Sequence, residues 1–200
     1  MAEITAQLVK ELREKTGAGM GDCKQALVET NGNIKEAIEY LRKKGAASLA
    51  KRQDRSANEG VIVAATSGNF QKAAIVEVNC ETDFVAKNEN FVEFGFQVCK
   101  AILNSEAHTI DELMNVTIQT DSIKGLYNEI LAKFSEKIEI RRFEKIATNG
   151  YVTEYIHAGN KLAVLLEIDQ SNPNEKAAKL IKDIATVSYT HLTLPTIYSV

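Results

Sequence analysis

Apolar residues recur at helical spacing up to about residue 45 and alternate along the chain after residue 60. Ile4, Leu8, Val9 and Leu12 fall on one helical face. That pattern stops at "TGAGMGD" (16–22), whose three glycines predict a tight connection. A second helix is expected from Asp22, with Cys23, Ala26 and Leu27 on its apolar face. "NGN" (31–33) ends it, and Asn33 is placed to cap a third helix with the stripe Ile34, Ala37, Ile38, Leu41. Gly45 reads as the terminator of that helix. Three short helices joined by glycine-rich turns make a small bundle, closer to a recognition module than to a catalytic body.

From Gly60 the period becomes two. "GVIVAATSGNFQKAAIVEVN" predicts a hairpin turning at Ser67-Gly68-Asn69, and "GYVTEYIHAGNKLAVLLEID" (150–169) predicts a second turning at Ala158-Gly159-Asn160. Gly60 aligns with Gly150, and Gly68-Asn69 with Gly159-Asn160 after one inserted residue, so the two hairpins read as an internal duplication. Helices are expected at 90–105 and 173–185, further helical segments at "IDELMN" and "DSIKGLYNEILAKFSE", and a strand at 137–147. The fold class is α+β: a three-helix module over 1–50, a charged linker over 51–59, and a two-lobed α/β core of duplicated hairpins with helices. The first lobe covers 60–145 and the second, incomplete, 146–185. The Thr-rich stretch 186–200, with Pro195, does not continue the stripe Ala177, Leu180, Ile181, Ile184. It reads as an atypical tail, a fusion scar or frame artefact outside the fold.

Composition narrows the class. A hydrophobic fraction of 44% and a net charge of −3 suit a globular chain rather than a general polyanion binder. The start is an amphipathic helix rather than a leader, and no apolar run is long enough for a membrane span, so a cytoplasmic site is expected. Cys23, Cys80 and Cys99 are widely spaced and read as buried free thiols rather than disulfides or zinc ligands. The three histidines are far apart, no nucleophile or metalloprotease motif occurs, and "TGAGMG" follows a helix rather than the strand a phosphate loop needs. A non-catalytic protein without cofactor or metal is expected. Glu81 and Asp83 read as solvated acids. Lys43, Lys44, Lys51, Arg52, Arg55, Arg141 and Arg142 leave open an alternative, an RNA- or ribosome-binding module.

"NCETDFVAKNENF" (79–91) is the least ordinary stretch, with Phe84 straight after Asp83 at a helix start. Together with "LREKTGAGMGDCKQALVETNGNIKEAIEYLRKKG", "IRRF" (140–143) and "YIHAGNKLAVLLEI", it resembles the bacterial-type elongation factor Ts family from about residue 4 to about 185. The resemblance implies a ubiquitin-associated-like N-terminal module and a two-lobed core. It implies a guanine-nucleotide exchange factor that binds elongation factor Tu in its GDP-bound and nucleotide-free forms, with no direct nucleic-acid or membrane partner expected and a homodimer possible but not predicted. By the same resemblance Asp83 and Phe84 enter the partner near its Mg²⁺ site. Thr82, Val85, Ala86, Lys87 and Asn88 complete the motif. His157, with Gly159, contacts the partner from the second hairpin.

Other readings stay open beside these. Phe84 can be a staple packed beneath its own helix start, and His157 a strand-end histidine with a satisfied hydrogen bond. Thr16, Gly17, Met20 and Cys23 are expected to build the turn and core of the helical module, with nearby surface docking on the partner. Gly21 stands where the family commonly has a second Met, and Asn160-Lys161 where it tends to have Gly-Arg. Asn tolerates positive φ, but Lys161 cannot reproduce a bidentate Arg contact. The resemblance also implies further C-terminal helices beyond residue 185 that grip the partner.

Overall fold

A computed structural model of the chain describes residues 4–50, 52, 54–118 and 121–191. In chain order the elements are α1 (Ala6–Thr16), α2 (Met20–Glu29), α3 (Ile34–Ala50), β1 (Glu59–Thr66), β2 (Lys72–Cys80), α4 (Asp83–Ala86) and α5 (Glu89–Asn104). They continue with α6 (Ile110–Met114), β3 (Thr117–Ile118), β4 (Asp121–Ser122), α7 (Ile123–Lys133), β5 (Ile138–Ala147), β6 (Tyr151–Ile156), β7 (Ala163–Ile168) and α8 (Glu175–His191). The chain is thus a mixed helix and sheet protein with three N-terminal helices. It divides into two compact units that interleave along the sequence: 1–60 with 79–94 and 114–139, and 61–78 with 95–113 and 140–200.

In the first unit, α1 begins at Thr5, whose hydroxyl accepts from Leu8 N at 3.3 Å, and ends at Gly17 with φ 68°. That left-handed conformation is open to glycine at little cost. Asn33 caps α3 as its sequence predicts: Oδ1 accepts from Lys35 N and Glu36 N at 3.1 and 3.3 Å, and Nδ2 donates to Glu36 Oε1 at 2.7 Å. The bundle core is Val9, Leu12, Ala18, Cys23, Ala26, Leu27, Ala37 and Leu41. Of Thr16, Gly17, Met20 and Cys23, expected to build the module's turn and core, Met20 is 57% exposed and Cys23 is buried. Met20 is the first residue of α2, and the buried face of that helix is Cys23, Ala26 and Leu27.

Gly45 does not end α3, which runs on to Ala50. A Cβ on Gly45 would lie 3.0 Å from both Ala132 N and Asn128 O. The glycine is there because the α7 backbone passes close by, a long-range requirement that imitates a local stop signal. Arg42 ties the same two helices, bonding Glu129, Asp121 at 3.3 Å and Glu39 at 3.0 Å.

The second unit holds most of a three-stranded sheet in the order β1-β2-β5 and the antiparallel pair β6-β7, with Tyr151 opposite Ile168 and Ile156 opposite Ala163. From Gly95 onward α5 buries Val98, Cys99 and Ile102, and Gly95 itself lets Val61 and Val63 approach. Burial pushes the Cys99 thiol up to about 12, which keeps it an inert packing group. Cys23, Cys80 and Cys99 are all buried and free.

The turns of the two hairpins make matching hydrogen bonds. Ser67 N donates to Lys72 O as His157 N does to Leu162 O, both at 2.8 Å. Phe70 N donates to Ser67 O at 2.9 Å as Asn160 N does to His157 O at 3.0 Å. Ile62 N reaches Asn160 O at 2.7 Å, and Val152 N reaches Phe70 O at 2.8 Å. Phe70 and Asn160 share φ 54°. Ser67 therefore stands where His157 stands and Phe70 where Asn160 does, without the insertion the sequence alignment required. The glycines of the two turns had drawn that alignment one residue out of step.

Helix α8 packs on β6 and β7 and buries Ile181 and Ala185. It does not stop at 185 but continues to His191, with the Thr186 hydroxyl donating to Lys182 O at 2.9 Å. This bond back to the preceding turn lets a β-branched residue sit in the helix. The remainder of the expected tail, 192–200, lies outside the described residues. No helix among the described residues is long and apolar enough to cross a membrane.

Candidate functional site

β2 ends at Cys80, and the chain turns at Glu81 and Thr82 into the single turn α4. Thr82 is its N-cap, with an extended backbone and a hydroxyl that accepts from Val85 N at 3.5 Å. Asn88 then caps α5, its Oδ1 accepting from Asn90 N at 3.0 Å and its carbonyl accepting from Phe91 N at 3.0 Å. Two caps within seven residues fix this stretch on both sides of α4.

The turn is amphipathic in a way that leaves its aromatic outside. Val85 and Ala86 are 7% and 4% exposed, whereas Phe84 is 84% exposed. Burying a phenylalanine would stabilise a fold by roughly 1.5–3 kcal/mol, and this one forgoes it. Packing of Phe84 beneath its own helix start is therefore ruled out. Asp83 pairs with Lys87 at 2.7 Å across one turn, and that bond raises the Lys87 ammonium above its ordinary value.

Most of what holds the turn comes from far along the sequence. The Glu136 carboxylate accepts from Glu81 N at 3.1 Å and Thr82 N at 3.0 Å through Oε2, and from the Thr82 hydroxyl at 2.6 Å through Oε1. In return Glu81 Oε1 accepts from Lys137 N at 2.5 Å and from Arg55 Nη1 at 3.2 Å. The bond from the Lys137 amide is the main reason the Glu81 carboxyl lies below its usual range, with Arg55 assisting against burial. Glu81 is thus an engaged acid, not the solvated one its neighbours suggested. Neither Glu136 nor Lys137 carries any motif that would single it out. Only their position opposite the turn gives them a part in it.

His157 and Gly159 lie in the other unit, in the turn after β6. His157 Nδ1 is 3.0 Å from the Tyr155 hydroxyl, and Gly159 has φ 83°, the positive value a type II turn needs at its third residue. The histidine is thus a strand-end residue with a hydrogen-bonded ring, half-exposed beside an open turn.

Several cations offered for an RNA surface already have partners. Arg52 Nη1 donates to the carbonyls of Phe134 and Glu136 at 3.1 and 3.0 Å. Arg55 holds Glu81, and Lys44 holds Asp22 and Gln25 at 2.7 Å each. Arg142 holds Glu77 at 2.7 Å, and Arg141 is 4.0 Å from the same carboxylate. Lys43 is exposed, and Lys51 lies outside the described residues. Among the described residues no group of three or more His, Cys, Asp or Glu is arranged to hold a metal ion.

The fold and this turn define an α+β protein that displays an aromatic on a hydrogen-bonded turn at its surface. The family described as Elongation factor TS matches the chain over residues 81–192. Elongation factor Ts of Clostridium perfringens is 44% identical over 183 residues, covering 90% of this chain and 60% of that protein. The proteins of the same name from Halothermothrix orenii and Clostridioides difficile are 46% and 44% identical over 185 and 186 residues. They are matched over 91% and 92% of this chain and 62% and 61% of their own length. The chain belongs to the elongation factor Ts family. It spans about 60% of the length of the curated relatives it matches.

Proposed function

We propose that the chain is a non-catalytic guanine-nucleotide exchange factor that acts in translation elongation on elongation factor Tu, in the cytoplasm. The observation that carries this is Phe84, 84% exposed on a capped turn that packs Val85 and Ala86 inward. In this reading Phe84 enters the GTPase near its Mg²⁺ site, with Asp83 holding the turn through Lys87 or bonding to the partner. Mg²⁺ keeps a near-octahedral shell at about 2.0–2.1 Å, so a small displacement of its ligands removes much of its binding. The buried area of the aromatic ring drives that displacement. GDP then loses its metal and its phosphate fit and dissociates. Linkage requires that GDP and the factor weaken one another equally, so incoming GTP releases the factor.

His157 and Gly159 form a second contact in this reading, and the exposed apolar side chains Met20 and Val28 on α2 offer a third. We read the three N-terminal helices as the ubiquitin-associated-like module of the family. The matching turn hydrogen bonds support reading the two hairpins as copies of one plan. RNA binding has less support, because Arg52, Arg55 and Arg142 are committed to internal bonds.

The test is release of fluorescent GDP from elongation factor Tu in excess unlabelled GDP, with and without this chain. The chain is expected to accelerate release, and Phe84→Ala to cost at least about thirty-fold, the effect of truncating an aromatic hot spot. Absence of acceleration, or a variant as fast as the parent, would sink the wedge reading.

A further inference from the structure

We propose that Glu136 is a positioning residue for Phe84. The proposal rests on the exchange reading above and deepens it, because it names what aims the wedge. Glu136 lies between α7 and β5 and takes up three donors at the entry to α4: the amides of Glu81 and Thr82 and the Thr82 hydroxyl. Glu81 returns the bond by accepting from the Lys137 amide. Two pairs of adjacent residues, 81–82 and 136–137, therefore clasp each other. Arg52 fixes the outer side of the clasp through the Phe134 and Glu136 carbonyls, and Arg55 fixes Glu81.

This arrangement exceeds what a connecting turn needs. α4 has four residues, too few to hold its own direction in water. A turn anchored only by Val85 and Ala86 would let its entry rotate, and Phe84 with it. The carboxylate bonds remove that freedom before any partner arrives, and charge-assisted bonds are the strong kind. Preorganisation of this sort raises the share of encounters in which an exposed side chain is aimed correctly. Glu136 need touch neither the partner nor its nucleotide.

The experiment is a double-mutant cycle on the full chain, read by GDP release from elongation factor Tu across factor concentrations. Glu136→Ala is expected to lower the maximal release rate about ten-fold and to move the half-saturating concentration less than about three-fold. Glu136→Gln is expected to stay within about three-fold of the parent, because its carbonyl can accept both amides while its NH₂ donates to Thr82 Oγ1. In a Phe84→Ala background, Glu136→Ala is expected to change the rate less than about two-fold, since nothing remains to be aimed. An equal loss in both backgrounds would show a merely structural role and overturn the proposal. So would a folded Glu136→Ala chain with the parent's rate. If circular dichroism shows that Glu136→Ala has lost its fold, Glu136→Asp, one methylene short of its three donors, carries the same cycle. A Phe84→Ala chain that exchanges normally would sink the wedge itself, a result distinguishable from failure of the positioning role alone.

Discussion

The turn after β2 and the turn after β6 both present a candidate contact residue, yet they differ in where their hydrogen bonds come from. His157 and Gly159 sit in a turn closed mainly by its own neighbours, through His157 N to Leu162 O and Asn160 N to His157 O, with one backbone bond from afar, Ile62 N to Asn160 O. Phe84 sits on a turn whose entry is held by Glu136, Lys137 and Arg55, residues distant in the chain. A locally closed turn keeps its shape cheaply, and here the His157 ring also bonds the Tyr155 hydroxyl. A turn clasped from outside as well as capped locally can hold an aromatic in water in one direction. On the exchange reading proposed above, the clasp is what aims the first loop before contact.

The sharpest way to break the comparison is at the base of the second hairpin. A Cβ on Gly150 would lie 1.9 Å from Ile168 O, a backbone atom that cannot step aside. Gly150→Ala is expected to destabilise the chain by about 3 kcal/mol or more in urea unfolding, against less than about 0.5 kcal/mol for Phe84→Ala. A smaller effect is expected at the first loop from Thr82→Ala, which removes the α4 cap and one Glu136 bond. Its cost should be about 1–2 kcal/mol, with exchange slowed more than stability alone explains. Equal effects of Thr82→Ala on stability and exchange would erase the distinction between the two turns.

The smallest expected effect is a pH dependence. The Glu81 carboxyl is held below its ordinary value, so its contribution is fully present above the unfolded value near 4.5 and is lost as pH falls through the folded value. The stability gap between the parent and Glu81→Gln should therefore be constant around neutrality and narrow below about pH 4.5. A gap that stays constant down to pH 3 would mean that the carboxylate charge adds nothing to the clasp.

Much of the fold was legible because its signals are local. Asn33 capped α3 as its position required, the turns formed at the expected glycines and asparagines, and the apolar stripes of α1 and α2 became the bundle core. The candidate site was half legible: the motif pointed to Phe84, but whether the ring was packed or displayed could not be read from its neighbours. Gly45 misled because glycine marks both helix ends and close helix contacts, and only the passage of α7 separates the two.

By itself the sequence determined most elements, their caps and turns, since hydrogen bonds within about four residues and an apolar period need no partner from afar, while its motifs carried the resemblance to the family. Only the tertiary structure decided that α3 would run past Gly45, that residues 79–94 and 114–139 would join the N-terminal helices, and that Glu136 would meet the turn carrying Phe84. Those outcomes depend on which distant donors face which acceptors once the chain has packed.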